Sequence, residues 1–232
     1  MSPRADAEGG MAPRRGLLQR LLDSFTGLVA RVQFPGSGGY WDARYRFRGS
    51  SGAGSYGASA RSKAAYVNRF VAGHDVSSVV DFGCGDGAQL TLLDLPEYLG
   101  VDVSPTAVRR CQSSFAGDLG KQFVSLADYT GQQADMAMSL DVTYHLVEDA
   151  VFDDYMARLF AAARRYVLIY STNFEQPSPW GSAHVRHRDL ASYCRLKFPE
   201  FTLVDEPDSV AGVTSTIPRF LAYRRIAGQA TK

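Results

Sequence analysis

From residue 59 onward, short apolar runs alternate with amphipathic stretches of helical period. Residues 59–73 carry apolar side chains at helical spacing and predict a helix. "SSVVDFG" (77–83) reads as a short buried strand, and a helix is expected at about 88–94. "EYLGVDV" (97–103) predicts a strand. "SPTAVRRCQSSF" (104–115) predicts a helix with Ser104 as N-cap and Pro105 at the first helical position, where no N–H is needed. "QFVSLA" (122–127) and "ADMAMSL" (134–140) are strands. The acidic-to-apolar stretch 148–163 is an amphipathic helix, and "RYVLIYS" (165–171) is a strand. A loop with Pro177, Pro179 and Trp180 precedes a helix near 187–197, and "FTLVDE" (201–206) and "RFLAYRRI" (219–226) close the chain as strands. Strand alternating with helix at this spacing means an α/β fold, a parallel sheet with helices on both faces. Residues 206–218 show no helical pattern, so the last two strands are expected to pair as an antiparallel hairpin at one edge.

The first 58 residues read differently. Residues 1–12 are polar and Gly/Ala-rich, the composition of a disordered tail. Over 13–34, Leu17, Leu18, Leu21, Leu22, Phe25, Leu28, Val29 and Val32 recur at helical spacing, with Arg20, Asp23 and Arg31 interrupting them. Such an amphipathic helix packs on its own domain or on a twin subunit, giving a homodimer, or lies weakly on a membrane surface. Residues 34–57 are a Gly/Ser-rich loop. Its Tyr40, Trp41, Tyr45, Phe47 and Tyr56 suit a lid over a ligand better than a bare linker.

Composition narrows the function without naming it. The 232 residues suffice for one sizeable domain, and 45% hydrophobic with 21% charged residues is ordinary for a globular chain. A net charge of +1 offers no broad basic surface, so nucleic acid is not the expected partner. Cys84, Cys111 and Cys194 are too far apart for metal-ligand spacing, and their odd number argues against a disulfide framework. A reducing, cytoplasmic setting fits. No stretch approaches the roughly 20 apolar residues of a membrane span.

"DFGCGDG" (81–87) carries the chemistry. It ends a strand of a parallel sheet, where ligands bind, and its glycines allow a tight turn with close backbone approach. Gly83, Gly85 and Ala88 formally fit a dinucleotide fingerprint. Asp81 and Asp86, however, bring negative charge to where a pyrophosphate would sit. That charge better suits a ligand with an ammonium or sulfonium group. Asp102 after the second strand and Asp128 after the third add acceptors for ribose hydroxyls and for an exocyclic amine.

"VVDFGCGDG", "GVDVS", "LADY" and "ADMAMSLDVTYHLVED" together resemble motifs I to IV of class I S-adenosylmethionine-dependent methyltransferases, in order and spacing, across roughly residues 60–226. "SLDVTYHLVED" resembles a bacterial subgroup that also carries "YW-x-x-R-Y", "GSYG" and "HVRHR" segments, all present here. The resemblance implies a seven-stranded, mostly parallel Rossmann-like methyltransferase sheet with an antiparallel edge strand. It divides the chain into a tail (1–12), an amphipathic helix with Gly/aromatic lid (13–58) and a methyltransferase domain (59–232). It implies S-adenosylmethionine as cofactor and S-adenosylhomocysteine as product. Gly83, Cys84, Gly85 and Gly87 would line the methionine part and Asp81 would reach the amino group. Asp102 would take both ribose hydroxyls, Val103 would pack on the adenine, and Asp128 with Tyr129 would meet its amine edge. Leu140 and Asp141 would sit near the sulfonium. Tyr40 and Trp41 would cover the cofactor, and Arg44 would pair with its carboxylate.

The acceptor side rests on histidines and arginines. His145, just past Asp141, suits a general base because its pKa lies near working pH, and otherwise packs the start of the next helix. His184 and His187 are further candidate bases. Arg186 and Arg188, with Tyr56 and Tyr144, are candidates for acceptor recognition. No metal is expected, since Asp141 and Asn173 lack a clear third acid unless Glu175 serves. The place of an Asn/Asp-Pro-Pro-aromatic motif, typical of base methylation, reads "LDVTYH". The expected activity is O-methylation of a small-molecule or carbohydrate hydroxyl. The alternatives are N- or O-methylation of a secondary metabolite, and a non-catalytic cofactor-binding partner protein.

Overall fold

The computed structural model describes residues 34–47, 49–176, 184–205 and 218–227. The expected tail and amphipathic helix, the Pro177, Pro179 and Trp180 loop, and residues 206–217 lie outside the described residues. The chain divides into two units, Met1–Phe34 and Pro35–Lys232, and all described residues but Phe34 belong to the second.

Seven strands form one sheet: β1 (Ser78–Phe82), β2 (Glu97–Asp102), β3 (Lys121–Ser125), β4 (Ala134–Leu140), β5 (Ala163–Ser171), β6 (Phe201–Asp205) and β7 (Arg219–Arg225). Their order is β3-β2-β1-β4-β5-β7-β6. The first five are parallel, and β7 runs antiparallel to both β5 and β6. This is the Rossmann-like sheet expected, with the antiparallel pair at one edge and β7 inserted between β5 and the edge strand β6.

Period-two alternation assigns the strands' side chains to two cores. Val79, Met136, Met138, Leu168 and Ala222 face one way, toward Ala64, Val67, Phe70 and Val71 of α2 (Gly57–Gly73) and Val108 and Cys111 of α3 (Pro105–Ser114). Val80, Phe82, Ala137, Val167, Ile169 and Leu221 face the other. They meet Phe152, Met156, Leu159 and Phe160 of α4 (Asp149–Ala162) and Leu190 and Cys194 of α5 (Leu190–Lys197). Helix α3 starts as expected, with the Ser104 hydroxyl accepting from Ala107 N.

Two expectations are corrected. The 34–57 segment is not irregular throughout: Gly36–Arg46 form a helix, α1, and Ala53–Ser55 a 3₁₀ turn. Glycines make α1 a poor helix on its own, so tertiary partners hold its ends. The Glu148 carboxylate accepts from Ser37 N (2.9 Å) and Ser37 Oγ at the N-terminus, the end where the helix dipole favours an anion. Arg110 donates to Tyr45 O and Gly49 O at the other end. The helix expected near 88–94 is only a 3₁₀ turn, Leu90–Leu92. Asn68 of α2 holds it, donating to Leu92 O (3.1 Å) and accepting from Asp94 N (3.0 Å), and Pro96 disfavours helix in the residue before it. A pyrophosphate needs a helix N-terminus after the glycines, and none of useful length stands there.

The sheet reverses its winding between β1 and β4: the chain steps outward to β2 and β3 on one side, then returns to start β4 on the other. In such sheets ligands bind at this switch point, beyond the strands' C-terminal ends.

Candidate active site

The turn after β1 fills that position. Gly83 (φ +86°) and Gly85 (φ +60°) both sit in the left-handed region. A Cβ on Gly83 would stand 2.3 Å from Val142, and one on Gly85 2.3 Å from Ser51 Oγ. Backbone conformation and space therefore each demand glycine. Gly83 N and Cys84 N donate to Val101 O at 2.7 and 3.2 Å, which curls the turn over the end of β2.

Above the turn lies a cavity of about 300 Å³. Its floor is the turn with Asp81, Asp102 and Leu140. Its roof is α1, through Ser37, Gly38 and Trp41, and the following segment, through Ser51 and Ser55. Residues 49–56, here the strap, are clasped to the turn by Asp86. That carboxylate accepts from Ser51 N (3.0 Å), Ser51 Oγ (2.7 Å) and Tyr56 Oη (2.6 Å). Burial pushes Asp86 up, but the Tyr56 and Ser51 hydrogen bonds outweigh it and hold the carboxyl below its ordinary value. Asp86 thus anchors the roof, whereas the sequence had suggested an acid facing ligand. Tyr56 belongs to the same clasp rather than to an acceptor site.

Two buried acids face the cavity. Asp81 Oδ2 accepts from Tyr98 Oη (2.8 Å), while Asp81 Oδ1 is buried with no hydrogen-bond partner. Burial raises this carboxyl to about 7. Asp102 accepts from Gly85 N (2.9 Å) through one oxygen and Ser104 N (2.8 Å) through the other, and burial raises it to about 6. Next to it Val103 is part exposed, and a Cβ on Gly38 of α1 would lie 3.2 Å from its Cγ2. Leu126 and Val103 give the cavity an apolar corner beside Asp102.

At the end of β4, Asp141 adopts a left-handed φ of +61°, rare for a non-glycine residue. Its carboxylate lies between Lys63 Nζ and the Tyr144 hydroxyl, which donates at 2.9 Å. Lys63 escaped the sequence reading. It occupies the buried stripe of α2 shared by Ala60, Ala64 and Val67, and is itself buried and on the cavity wall. A charged residue inside an apolar stripe was the available signal.

The histidines separate. His145 lines the cavity. Its Nδ1 lies 3.0 Å from His184 O, which only accepts, so Nδ1 carries the proton and Nε2 is bare. Burial lowers His145 to about 4. The ring meets Trp41 edge-on at 4.9 Å and stacks on His184, which in turn stacks on Tyr40 at 4.7 Å. His184 belongs to this row outside the cavity wall. His187 points elsewhere, with Nδ1 2.8 Å from Thr172 Oγ1 and its ring on Phe174.

Several other candidates are engaged within the protein. Arg188 is buried, donates to Leu146 O (2.7 Å) and Asp149 (3.1 Å), and lies over the Phe152 ring. Arg186 pairs with Asp149 at 2.7 Å. Both brace the start of α4, which explains basic residues there without an acceptor. Arg44 donates to Ser50 O (2.8 Å) and covers Trp41. Asp128 accepts from Ser125 on the exposed surface, and Tyr129 packs on Phe82 with its hydroxyl on Gln132 O. Neither lines the cavity. Cys84 does, buried beside Cys111. Asn173 accepts from Ala191 N and Glu175 from Asp189 N, so these two do not join Asp141.

Residues 80–167 match the family model described as a methyltransferase domain. No curated protein matches the chain. Solved structures share the fold at low identity. Magnesium protoporphyrin IX methyltransferase (ChlM) from Synechocystis PCC 6803, with bound SAH, is 19% identical over 72% of this chain and 83% of its own, with a TM-score of 0.54. The N-methyltransferase NodS from Bradyrhizobium japonicum WM9, in complex with S-adenosyl-L-homocysteine, is 15% identical over 71% and 86%, with a TM-score of 0.56. The small RNA methyltransferase HEN1 is 15% identical over 74% of this chain and 26% of its own, with a TM-score of 0.55. The sheet is thus a Rossmann-like methyltransferase fold, with a methyltransferase domain match at its centre. These neighbours differ in what they act on, so the fold does not select an acceptor.

Proposed function

We propose that the chain is an S-adenosylmethionine-dependent methyltransferase that methylates a hydroxyl of a small-molecule or carbohydrate acceptor. The observation that carries the cofactor reading is the pair of buried acids at the switch point, one of them with an unpartnered oxygen. A buried polar atom without a partner is costly, and an ammonium donor relieves it. Bound there, the cofactor supplies an electrophilic methyl group on a sulfonium sulfur.

The protein's part is to hold and orient. Asp102 has lone pairs left on both oxygens for a vicinal diol, while its bonds to Gly85 N and Ser104 N fix its direction. Val103 and Leu126 offer apolar contact to an adenine ring, and α1 with the strap excludes water from above. His145 Nε2 is the acceptor for the proton a hydroxyl gives up. Burial lowers its pKa to about 4, so the imidazole is unprotonated across the physiological range but is a weaker base than the ordinary histidine the sequence suggested. The Trp41, His145, His184 and Tyr40 rings form an aromatic row suited to the flat apolar face of a sugar or a small ring system.

The test is transfer of labelled methyl from S-adenosylmethionine to a panel of hydroxylated small molecules and oligosaccharides. Turnover with one class, lowered about 10²-fold or more by His145→Gln with cofactor affinity unchanged, is the expected result. Full turnover in His145→Gln would remove the base assignment. Methylation of amines alone would remove the hydroxyl reading.

A further inference from the structure

The aromatic row beside the cavity carries a cation whose donors the fold leaves mostly unused. Arg44 of α1 is partly buried, and its guanidinium lies 5.2 Å over the Trp41 ring. A guanidinium has five N–H donors. Nε donates to Ser50 O at 2.8 Å, which fixes the plane of the group. Nη1 stands 3.4 Å from Tyr40 Oη, long for a hydrogen bond, and Nη2 meets no acceptor among the described residues. Arg46, Arg158, Arg186 and Arg188 each pair with an aspartate, whereas no carboxylate among the described residues pairs with Arg44. The outer edge of its fork, which takes a carboxylate through two parallel bonds, is therefore left for a ligand.

The surroundings point the same way. The row closes on itself, since Tyr40 also meets Trp41 edge-on at 5.5 Å, and none of its four rings brings an anion. The acids on the cavity wall are placed elsewhere. Asp141 pairs with Lys63, Asp154 with Arg158, and Asp81 and Asp102 stand at the ends of β1 and β2. Burial is the main cause that lowers His145 and His184, and the Arg44 charge adds to it in both. A negative ligand group at Arg44 cancels that charge and so strengthens His145 as a base. The Arg44 guanidinium and the His145 ring lie 5.2 and 4.9 Å from the Trp41 ring. One small ring system therefore reaches both, an anion at one end and a hydroxyl at the other.

We propose that Arg44 selects an acidic acceptor, a hydroxylated monocyclic carboxylate. The carboxylate takes the Arg44 fork, the ring lies along Trp41, and the hydroxyl meets His145 Nε2. The inference rests on the methyltransferase reading and narrows its acceptor from hydroxyl compounds in general to those with a carboxylate one ring away. Aromatic hydroxy acids and uronic acids share this chemistry. It takes Arg44 away from the cofactor carboxylate that the sequence resemblance assigned to it, because Trp41, not Arg44, forms the cavity wall there.

Calorimetric titration of the full chain, saturated with S-adenosylhomocysteine, tests this with two matched pairs: 4-hydroxybenzoate against 4-hydroxybenzamide, and methyl glucuronoside against methyl glucoside. One acid is expected to bind at least roughly tenfold more tightly than its neutral partner, as charge-assisted bidentate bonding requires. Which pair shows it tells an aromatic ring from a sugar. Arg44→Gln should erase the preference by weakening the acid alone, with S-adenosylhomocysteine affinity within about threefold of wild type. Arg44→Lys keeps the charge without the fork and should keep only part of the preference, which also serves if Arg44→Gln does not fold. Binding of neither acid, equal binding of an acid and its neutral partner, or a preference that survives Arg44→Gln overturns the assignment. So does an Arg44→Gln protein that loses about tenfold in S-adenosylhomocysteine affinity but none for 5′-methylthioadenosine, because the guanidinium then serves the cofactor. Failure of the wild type to bind S-adenosylhomocysteine overturns instead the cofactor reading on which the inference depends.

Discussion

Replacing Gly85 with alanine loads the joint between the glycine turn and the strap, and the cost follows from the geometry. Gly85 has φ +60°, where an alanine costs about 1–2 kcal/mol. The new Cβ would also lie 2.3 Å from Ser51 Oγ and 2.9 Å from Tyr45 Oη. Ser51 Oγ has little freedom: it donates to Asp86 Oδ1 (2.7 Å), accepts from Asp86 N (3.0 Å) and bonds the Tyr45 hydroxyl (3.0 Å). Restoring ordinary contact moves it by more than an ångström and breaks two or three of these bonds, at about 0.5–1.5 kcal/mol each. The expected loss is therefore about 2–6.5 kcal/mol, summing the strain and the lost bonds. Urea unfolding of wild type and Gly85→Ala measures it as a fall in midpoint with the slope unchanged. Ser51→Gly relieves the closer contact and leaves the 2.9 Å approach to Tyr45 Oη, so in that background the cost of Gly85→Ala should fall toward the strain of about 1–2 kcal/mol. A Gly85→Ala cost below about 1 kcal/mol, or two substitutions whose costs simply add, would refute the clasp.

The buried acids set two pH effects of opposite sign. Asp81 and Asp102 are raised to about 7 and about 6 in the fold. Between the unfolded value of about 4 and those values the native state holds the more protons. Stability of the free protein therefore falls as pH rises from about 4 to 7. Binding of a cationic ligand to the carboxylates strengthens as pH rises through 6–7, with proton release at pH 6. Titrations in two buffers of different ionisation enthalpy check this, and no proton release would count against it. In the far core, Phe160 stacks on Phe198 at 3.9 Å and meets Phe201 and Tyr223. Phe160→Ala should cost about 3–5 kcal/mol in the same unfolding assay without changing nucleoside affinity.

Which parts of the molecule were legible in the sequence follows from the range of the forces involved. Strands β1, β2, β4 and β5 and helices α3 and α4 were read nearly residue for residue, because their apolar period and the Ser104 cap are local. Helix α1 was not legible, because the groups that cap it lie 111 residues away at Glu148 and 65 away at Arg110. The turn at 90–92 failed as a helix because Asn68, in another element, holds its ends. At the site, Asp81, Asp102, Gly83, Trp41, Leu140 and His145 were anticipated and do line one cavity, whereas Gly85 and Gly87 pack against Ser51 and Phe115 instead. Residues chosen by type alone, such as Arg186, Arg188 and Tyr56, were not, because the sequence does not say which charges the fold itself consumes. Lys63 and Gln89 were passed over for the converse reason. Each looked like an ordinary helix or loop residue until the fold set it apart, Lys63 by its buried pairing with Asp141 and Gln89 by its unpartnered Oε1.

The function rests on the acid-lined cleft taking a sulfonium nucleoside rather than a dinucleotide. Titration calorimetry of the purified chain with S-adenosylhomocysteine and, separately, with NAD measures that choice. Saturable one-to-one binding of S-adenosylhomocysteine, with no heat from NAD at the same concentration, is the result the account requires. Binding of NAD in preference to S-adenosylhomocysteine would contradict it.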